Sequence, residues 1–125
     1  MNSQQLIDLQ NSLVVEIAKG IKCEWDAAVA NIEVDEIEQT ENCLALSFVW
    51  RQGAWIRNSF ELPFDCYDLF VALRNAMPGE KWTSCTLECS SDGRYKFSYS
   101  HDPPRRLSGN HDETAMLRNY QPERR

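Results

Sequence analysis

The stretch Cys43-Leu44-Ala45-Leu46-Ser47-Phe48-Val49-Trp50-Arg51-Gln52-Gly53-Ala54-Trp55-Ile56-Arg57-Asn58-Ser59-Phe60-Glu61-Leu62 decides the fold. Leu44, Leu46, Phe48 and Trp50 alternate with Cys43, Ala45, Ser47 and Val49, the period that sends successive side chains to opposite faces of a strand. After Arg51-Gln52-Gly53 the same period continues through Ala54, Ile56, Asn58, Phe60 and Leu62. Two such runs around a glycine-bearing turn read as a β-hairpin.

Towards the N-terminus, the segment from Asp35 to Asn42 holds Asp35, Glu36, Glu38 and Glu41 with little apolar content, and reads as an exposed connection. Before it, Ala28, Ala30, Ile32 and Val34 recur at every second position, a half-buried strand that turns Asn31, Glu33 and Asp35 outward. Earlier still, Leu6, Leu9, Leu13, Val14, Ile17 and Ile21 follow three- and four-residue steps. That spacing predicts an amphipathic helix from about Ser3 to Lys19, capped by Asn2 or Ser3 and stopped by Gly20 in a left-handed conformation.

Towards the C-terminus, Pro63 ends the hairpin, and Asp65 caps a helix running through Tyr67, Phe70, Val71, Leu73 and Arg74 to Ala76, where Pro78-Gly79 stops it. Trp82 to Cys89 alternates again. Ser90-Ser91-Asp92-Gly93 turns the chain, and Tyr95, Phe97 and Tyr99 line one face of a last strand, which makes a second hairpin. From Asp102 to Asn110 the chain is polar and carries proline and glycine, as in an extended surface linker. A short helix from about Asp112 to Tyr120 can follow, but its apolar face of Ala115, Met116 and Tyr120 is too small to hold it unless it docks. The order α-β-β-β-α-β-β, with that optional last helix, predicts an α+β domain: a single antiparallel sheet with the helices packed on one face. The domain occupies residues 1–100, followed by a basic, proline-containing tail over 101–125.

The length of 125 residues and 42% hydrophobic content fit one domain and exclude wholesale disorder. A net charge of −6 argues against nucleic acid or an anionic membrane as the main partner. The charge is uneven: residues 1–93 carry 15 acids and 6 bases, a net −9, whereas residues 94–125 carry 7 bases and 4 acids, a net +3. The acidic body either keeps a small domain soluble or draws a basic protein partner towards it. Cys23, Cys43, Cys66, Cys85 and Cys89 are odd in number and irregularly spaced, and no apolar signal segment precedes them, so the expectation is a reduced, cytoplasmic protein without disulfides. No apolar run approaches the ~20 residues of a membrane span.

No constellation demands catalysis. Cys85 and Cys89 have a metal-like spacing, but on a strand they stand about 13 Å apart, too far for one zinc ion. His101 and His111, in or beyond the polar linker, have no paired cysteine or histidine motif beside them, so neither a metal site nor a nucleophile with its base is expected. Asp65 with Asp68 is a helix-start pattern, Glu36 with Glu38 lies in a solvated loop, and no glycine-rich phosphate cradle is present. The expectation is therefore a protein that is not an enzyme and carries no cofactor. Trp50 and Trp55 flank the first hairpin's turn beside Arg51 and Arg57. Tryptophan and arginine are enriched at interface hot spots, and sheet-face packing accounts for the pair equally well.

Three stretches resemble a known family. They are the N-terminal helix leading to Glu24-Trp25-Asp26; the helix Asp65-Cys66-Tyr67-Asp68-Leu69-Phe70-Val71-Ala72-Leu73-Arg74; and Trp82-Thr83-Ser84-Cys85-Thr86-Leu87-Glu88 with Asp92-Gly93-Arg94-Tyr95-Lys96-Phe97-Ser98-Tyr99. This pattern, over about residues 5–100, is similar to the YezG-like immunity proteins, antitoxins of bacterial polymorphic toxin systems and contact-dependent growth inhibition. The resemblance implies a chain that binds and blocks a cognate toxin domain, often a nuclease, inside the producing cell, as a monomer or weak dimer when free. On that expectation the partner-binding candidates are Asp35, Glu36, Glu38, Glu41, Asp65 and Asp68, with Trp50 and Trp55 of the hairpin. A second reading, from a similar order of elements, is a small acidic chaperone of a secreted effector of the type III secretion kind.

Overall fold

The structure is a computed structural model that describes residues 3–37 and 39–123. Helix α1 spans Ser3–Gly20, followed by β1 (Ala27–Asp35), β2 (Thr40–Arg51), β3 (Ala54–Ser59), α2 (Phe64–Ala76), β4 (Ser84–Ser90) and β5 (Tyr95–Ser100). The five strands form one antiparallel sheet in the order β3-β2-β1-β4-β5. The α+β fold with a single antiparallel sheet is as the alternation predicts. No helix among the described residues is long and apolar enough to cross a membrane.

Register assigns the two faces. Ala28, Ala30 and Ile32 of β1 lie opposite Ser47, Ala45 and Cys43 on one side and Cys89, Leu87 and Cys85 on the other. These residues, with Leu13, Ile17 and Ile21 from the first helix and its end and Cys66, Phe70 and Leu73 from the second, make the main core, closed by the fully buried Trp82. The turn between β2 and β3 is the two-residue kind that matches strand twist: Gln52 and Gly53 take φ of 51° and 80°, which glycine adopts without strain.

Several expectations need correction. The first strand is not half-buried. Being central, β1 is covered on both faces, and Asn31 and Glu33 are as inaccessible as its apolar residues. The covering element is the segment after Ser100, which lies on the surface for much of its length but is neither extended nor helical, being folded in turns and docked through Arg106, Ala115, Leu117 and Tyr120. Residues 112–120 form irregular turns, with backbone bonds spanning three, four and five residues and a left-handed Leu117. Leu117 and Tyr120 pack on Ala27, Val29, Leu46 and Phe48, a second core on the face away from the helices. We call this segment the strap.

The loop read from Asp35 to Asn42 is shorter than expected, because Asp35 and Thr40 to Asn42 already belong to the β1–β2 ladder. Helix α2 begins at Phe64 with Pro63 in the capping position, so Asp65 sits in the first turn and caps nothing. Gly20 does not take a left-handed backbone; a Cβ there would lie 2.6 Å from Pro63 Cδ, and close approach is what the glycine provides. The caps expected of Asn2 and the Ser3 side chain lie outside the described residues.

Candidate functional site

The expected contact residues fall in three places. At the β1–β2 turn, Asp35 Oδ1 accepts the Ile37 N–H at 3.0 Å. Glu36 is exposed, with its carboxylate 3.6 Å from the Arg74 guanidinium and 4.0 Å from Lys81 Nζ. Glu41 is exposed opposite Val34, and Glu38 lies outside the described residues. At the β2–β3 tip, Trp50 and Trp55 are register partners with ring centroids 5.1 Å apart and near-perpendicular planes. Trp55 also meets Phe48 edge-on at 6.3 Å, which ties it to the strap-side core. The tryptophan pair lies beyond the Ala27 end of β1 and the acidic turn lies at its Asp35 end, roughly 26 Å away at the rise of a strand.

The third place is the start of α2, where Asp65 and Asp68 are both exposed and Asp65 faces the positive end of the helix dipole. The end of α1 abuts Pro63, so these carboxylates lie beside the last turns of α1. Between the helices runs a groove of about 570 Å³ lined by Asn11, Val15, Glu16, Asp65, Asp68 and Leu69. Glu16 is paired with Lys19 at 2.9 Å, but among the described residues no lysine or arginine pairs with Asp65 or Asp68. Val15 is 53% exposed and supplies an aliphatic floor with Leu69. Neither Val15 nor Leu69 is among the contact residues that the sequence suggests. Val15 is an aliphatic residue off the apolar stripe of α1, and that offset is the signal that marks it, whereas Leu69 belongs to the edge of the core-facing stripe of α2.

The acids at the two ends of α2 are not one patch: Glu36 meets the helix at Arg74, nine residues and about 13 Å beyond Asp65. Arg74 itself is buried, donating to the Trp82 carbonyl at 2.6 Å.

The buried and half-buried thiols are held neutral. Burial pushes Cys43 and Cys89 up to about 11 and Cys66 to about 12, and it also raises Cys85, so none of these four is a thiolate nucleophile at neutral pH. Among the described residues, no three His, Cys, Asp or Glu side chains converge on a common point. The described residues also line two further recesses. One, of about 200 Å³, lies under the strap, where the Tyr120 hydroxyl donates to Glu88 at 2.8 Å. The other, of about 1110 Å³, lies beside β3 and is bordered by Lys19, Lys22, Phe60, Tyr67 and the 81% exposed Phe64.

The strap is anchored by a residue whose importance the sequence conceals. Arg106 enters the sheet face with its side chain only 3% exposed, and its guanidinium lies 3.5 Å from the equally buried Glu33 carboxylate. It donates to Asn42 Oδ1 at 2.7 Å and to the carbonyls of Ala115, Asn31 and Asn42 at 3.0, 3.2 and 3.1 Å. The other Glu33 oxygen accepts the Leu107 N–H at 3.0 Å. Burial lowers the Arg106 pKa and the Glu33 charge opposes that shift. A comparison of the chain with protein-family models finds no match, and a comparison with curated proteins finds none either.

Proposed function

We propose that this chain is an immunity protein that binds a cognate bacterial toxin domain in the cytoplasm, a nuclease with a basic surface, and neutralises it by covering that surface. The observation that carries the reading is where the charges lie. Among the described acids of residues 1–93, Glu33 alone is buried, and its charge is opposed internally by Arg106; every other carboxylate is at least partly accessible. Arg74 and Arg106, by contrast, are withdrawn into the interior. The accessible surface of the body is thus dominated by acids, and the basic tail contributes less positive charge outside than its composition suggests. A nuclease presents a cationic groove to its substrate, and an acidic surface gains both encounter rate and selectivity against it. Such inhibition requires no chemistry from the inhibitor.

The test is expression of toxic neighbouring reading frames with and without this chain. Rescue by the unaltered chain, lost when Glu36, Glu38, Glu41, Asp65 and Asp68 are together replaced by lysine, is the expected result. No rescue from any toxic neighbour, or purification as a dimer holding an unfolded effector segment, would replace this reading with that of a secretion chaperone.

A further inference from the structure

Resting on the immunity reading, we infer that the α1–α2 groove is the seat of one amphipathic, lysine- or arginine-bearing helix of the partner. The groove has an apolar floor and a charged rim. Val15 and Leu69 present aliphatic surface between two packed helices, and the rim holds Asp65 and Asp68, neither paired with a cation among the described residues, with Glu16 beside them. Val15 lies off the core-facing stripe of α1 and is 53% exposed, while Leu69 is half-buried against the core with an edge left in the groove, and the exposure of both is offset when an apolar ridge covers them. Two helices in contact present ridges and grooves into which a third helix fits. An extended strand gains less there, since helical backbone has already satisfied its own donors and acceptors, whereas an amphipathic helix brings both an aliphatic stripe and its own hydrogen bonds. Charge complementarity fixes the sign of the occupant's flanks: rim carboxylates with no cation paired to them among the described residues favour cations and repel acidic or phosphorylated segments.

The probe is a helical peptide of about 18 residues, five turns, with leucine at helical spacing and lysine elsewhere, titrated into the isotope-labelled full chain and followed by amide chemical shifts. Controls are a scrambled peptide of the same composition and one with glutamate in place of lysine. The expected result is shifts confined to Asn11–Glu16 and Asp65–Leu69, and affinity lowered about tenfold or more by Asp65→Lys with Asp68→Lys, and severalfold by Val15→Ser. Glu36→Lys should change it less than about twofold, since that site lies more than a Debye length away. Equal binding of the scrambled or acidic peptide, shifts mapping elsewhere, or a dimer of the chain abolished by Val15→Ser would each overturn the assignment. Val15→Ser and Asp68→Asn serve as milder variants if the double reversal does not fold. With a toxic neighbour in hand, rescue that survives the groove variants overturns the groove and spares the immunity reading. Absence of rescue by the unaltered chain does the reverse, leaving the peptide to decide the groove.

Discussion

At the residue scale the dominant feature is the Arg106–Glu33 pair, buried from opposite ends of the chain. An ion pair in the interior contributes little compared with apolar packing, because desolvation cancels most of the attraction, but removing one partner strands the other charge. Arg106→Met should therefore cost about 3–5 kcal/mol in urea unfolding, and Arg106→Met with Glu33→Leu should recover much of it. A simple hydrogen-bond loss would not be repaired by removing the second partner. The buried thiols give a pH signature. Cys66 ordinarily loses its proton near 9.0 and in the fold is pushed up to about 12. The folded state retains protons that the unfolded state releases, so this contribution is complete below about pH 9 and is lost as pH rises from there to about 12. Urea midpoints should fall over that alkaline window, and Cys66→Ala should flatten part of the decline. Cys23 is the exposed cysteine, and with a thiol reagent at neutral pH it should react well before Cys66, Cys85 and Cys89, which wait for unfolding.

At the element scale the strap decides stability. Phe48 is buried between Trp55, Tyr120 and the Arg57 guanidinium, whose Nη2 donates to the Arg118 and Tyr120 carbonyls at 2.7 and 3.0 Å. Phe48→Ala should cost about 3–5 kcal/mol by loss of transfer energy and cavity formation. Truncation after Ser100 should be worse, exposing Ala27, Val29, Leu46 and Phe48 together, and should appear as binding of a hydrophobic dye and loss of a cooperative urea transition. The strap is also where the sequence was least legible. Both helices and both hairpins declare themselves by period, because each buries one face against a neighbour. The strap buries its few apolar residues through turns, which have no period, and anchors itself with an arginine that composition counts as surface charge. Asn31 and Glu33 misled for the same reason. In a strand covered on both sides, polar alternation looks solvent-facing until the distant partners appear, here Arg106 together with Ser84 and Thr86, which accept from Asn31 Nδ2 at 3.1 and 2.8 Å. The candidate site was legible in part: Asp65, Asp68 and Leu69 share a face of α2 by helical spacing, but Val15 joins them only because α1 packs against α2, a juxtaposition that pattern alone does not carry.

At the scale of the whole molecule, the separation of charge between an acidic exterior and two internal arginines governs how a partner is met. Raising ionic strength from about 0.01 to 0.15 M shortens the Debye length from about 30 to 8 Å. Association with a basic toxin domain should slow by about tenfold or more over that range while dissociation changes little. Stopped-flow measurement at several salt concentrations checks this, and a flat association rate would remove electrostatic steering from the account. The Arg106–Glu33 contact also has a consequence for synthesis. Glu33 and its strand emerge early from the ribosome, and the guanidinium that neutralises it follows 73 residues later in the sequence. Until then the nascent sheet carries a naked carboxylate on the surface it must bury. Translation stopped short of Arg106 should leave a polypeptide fit for proteolysis, so only a chain whose strap has been made can persist.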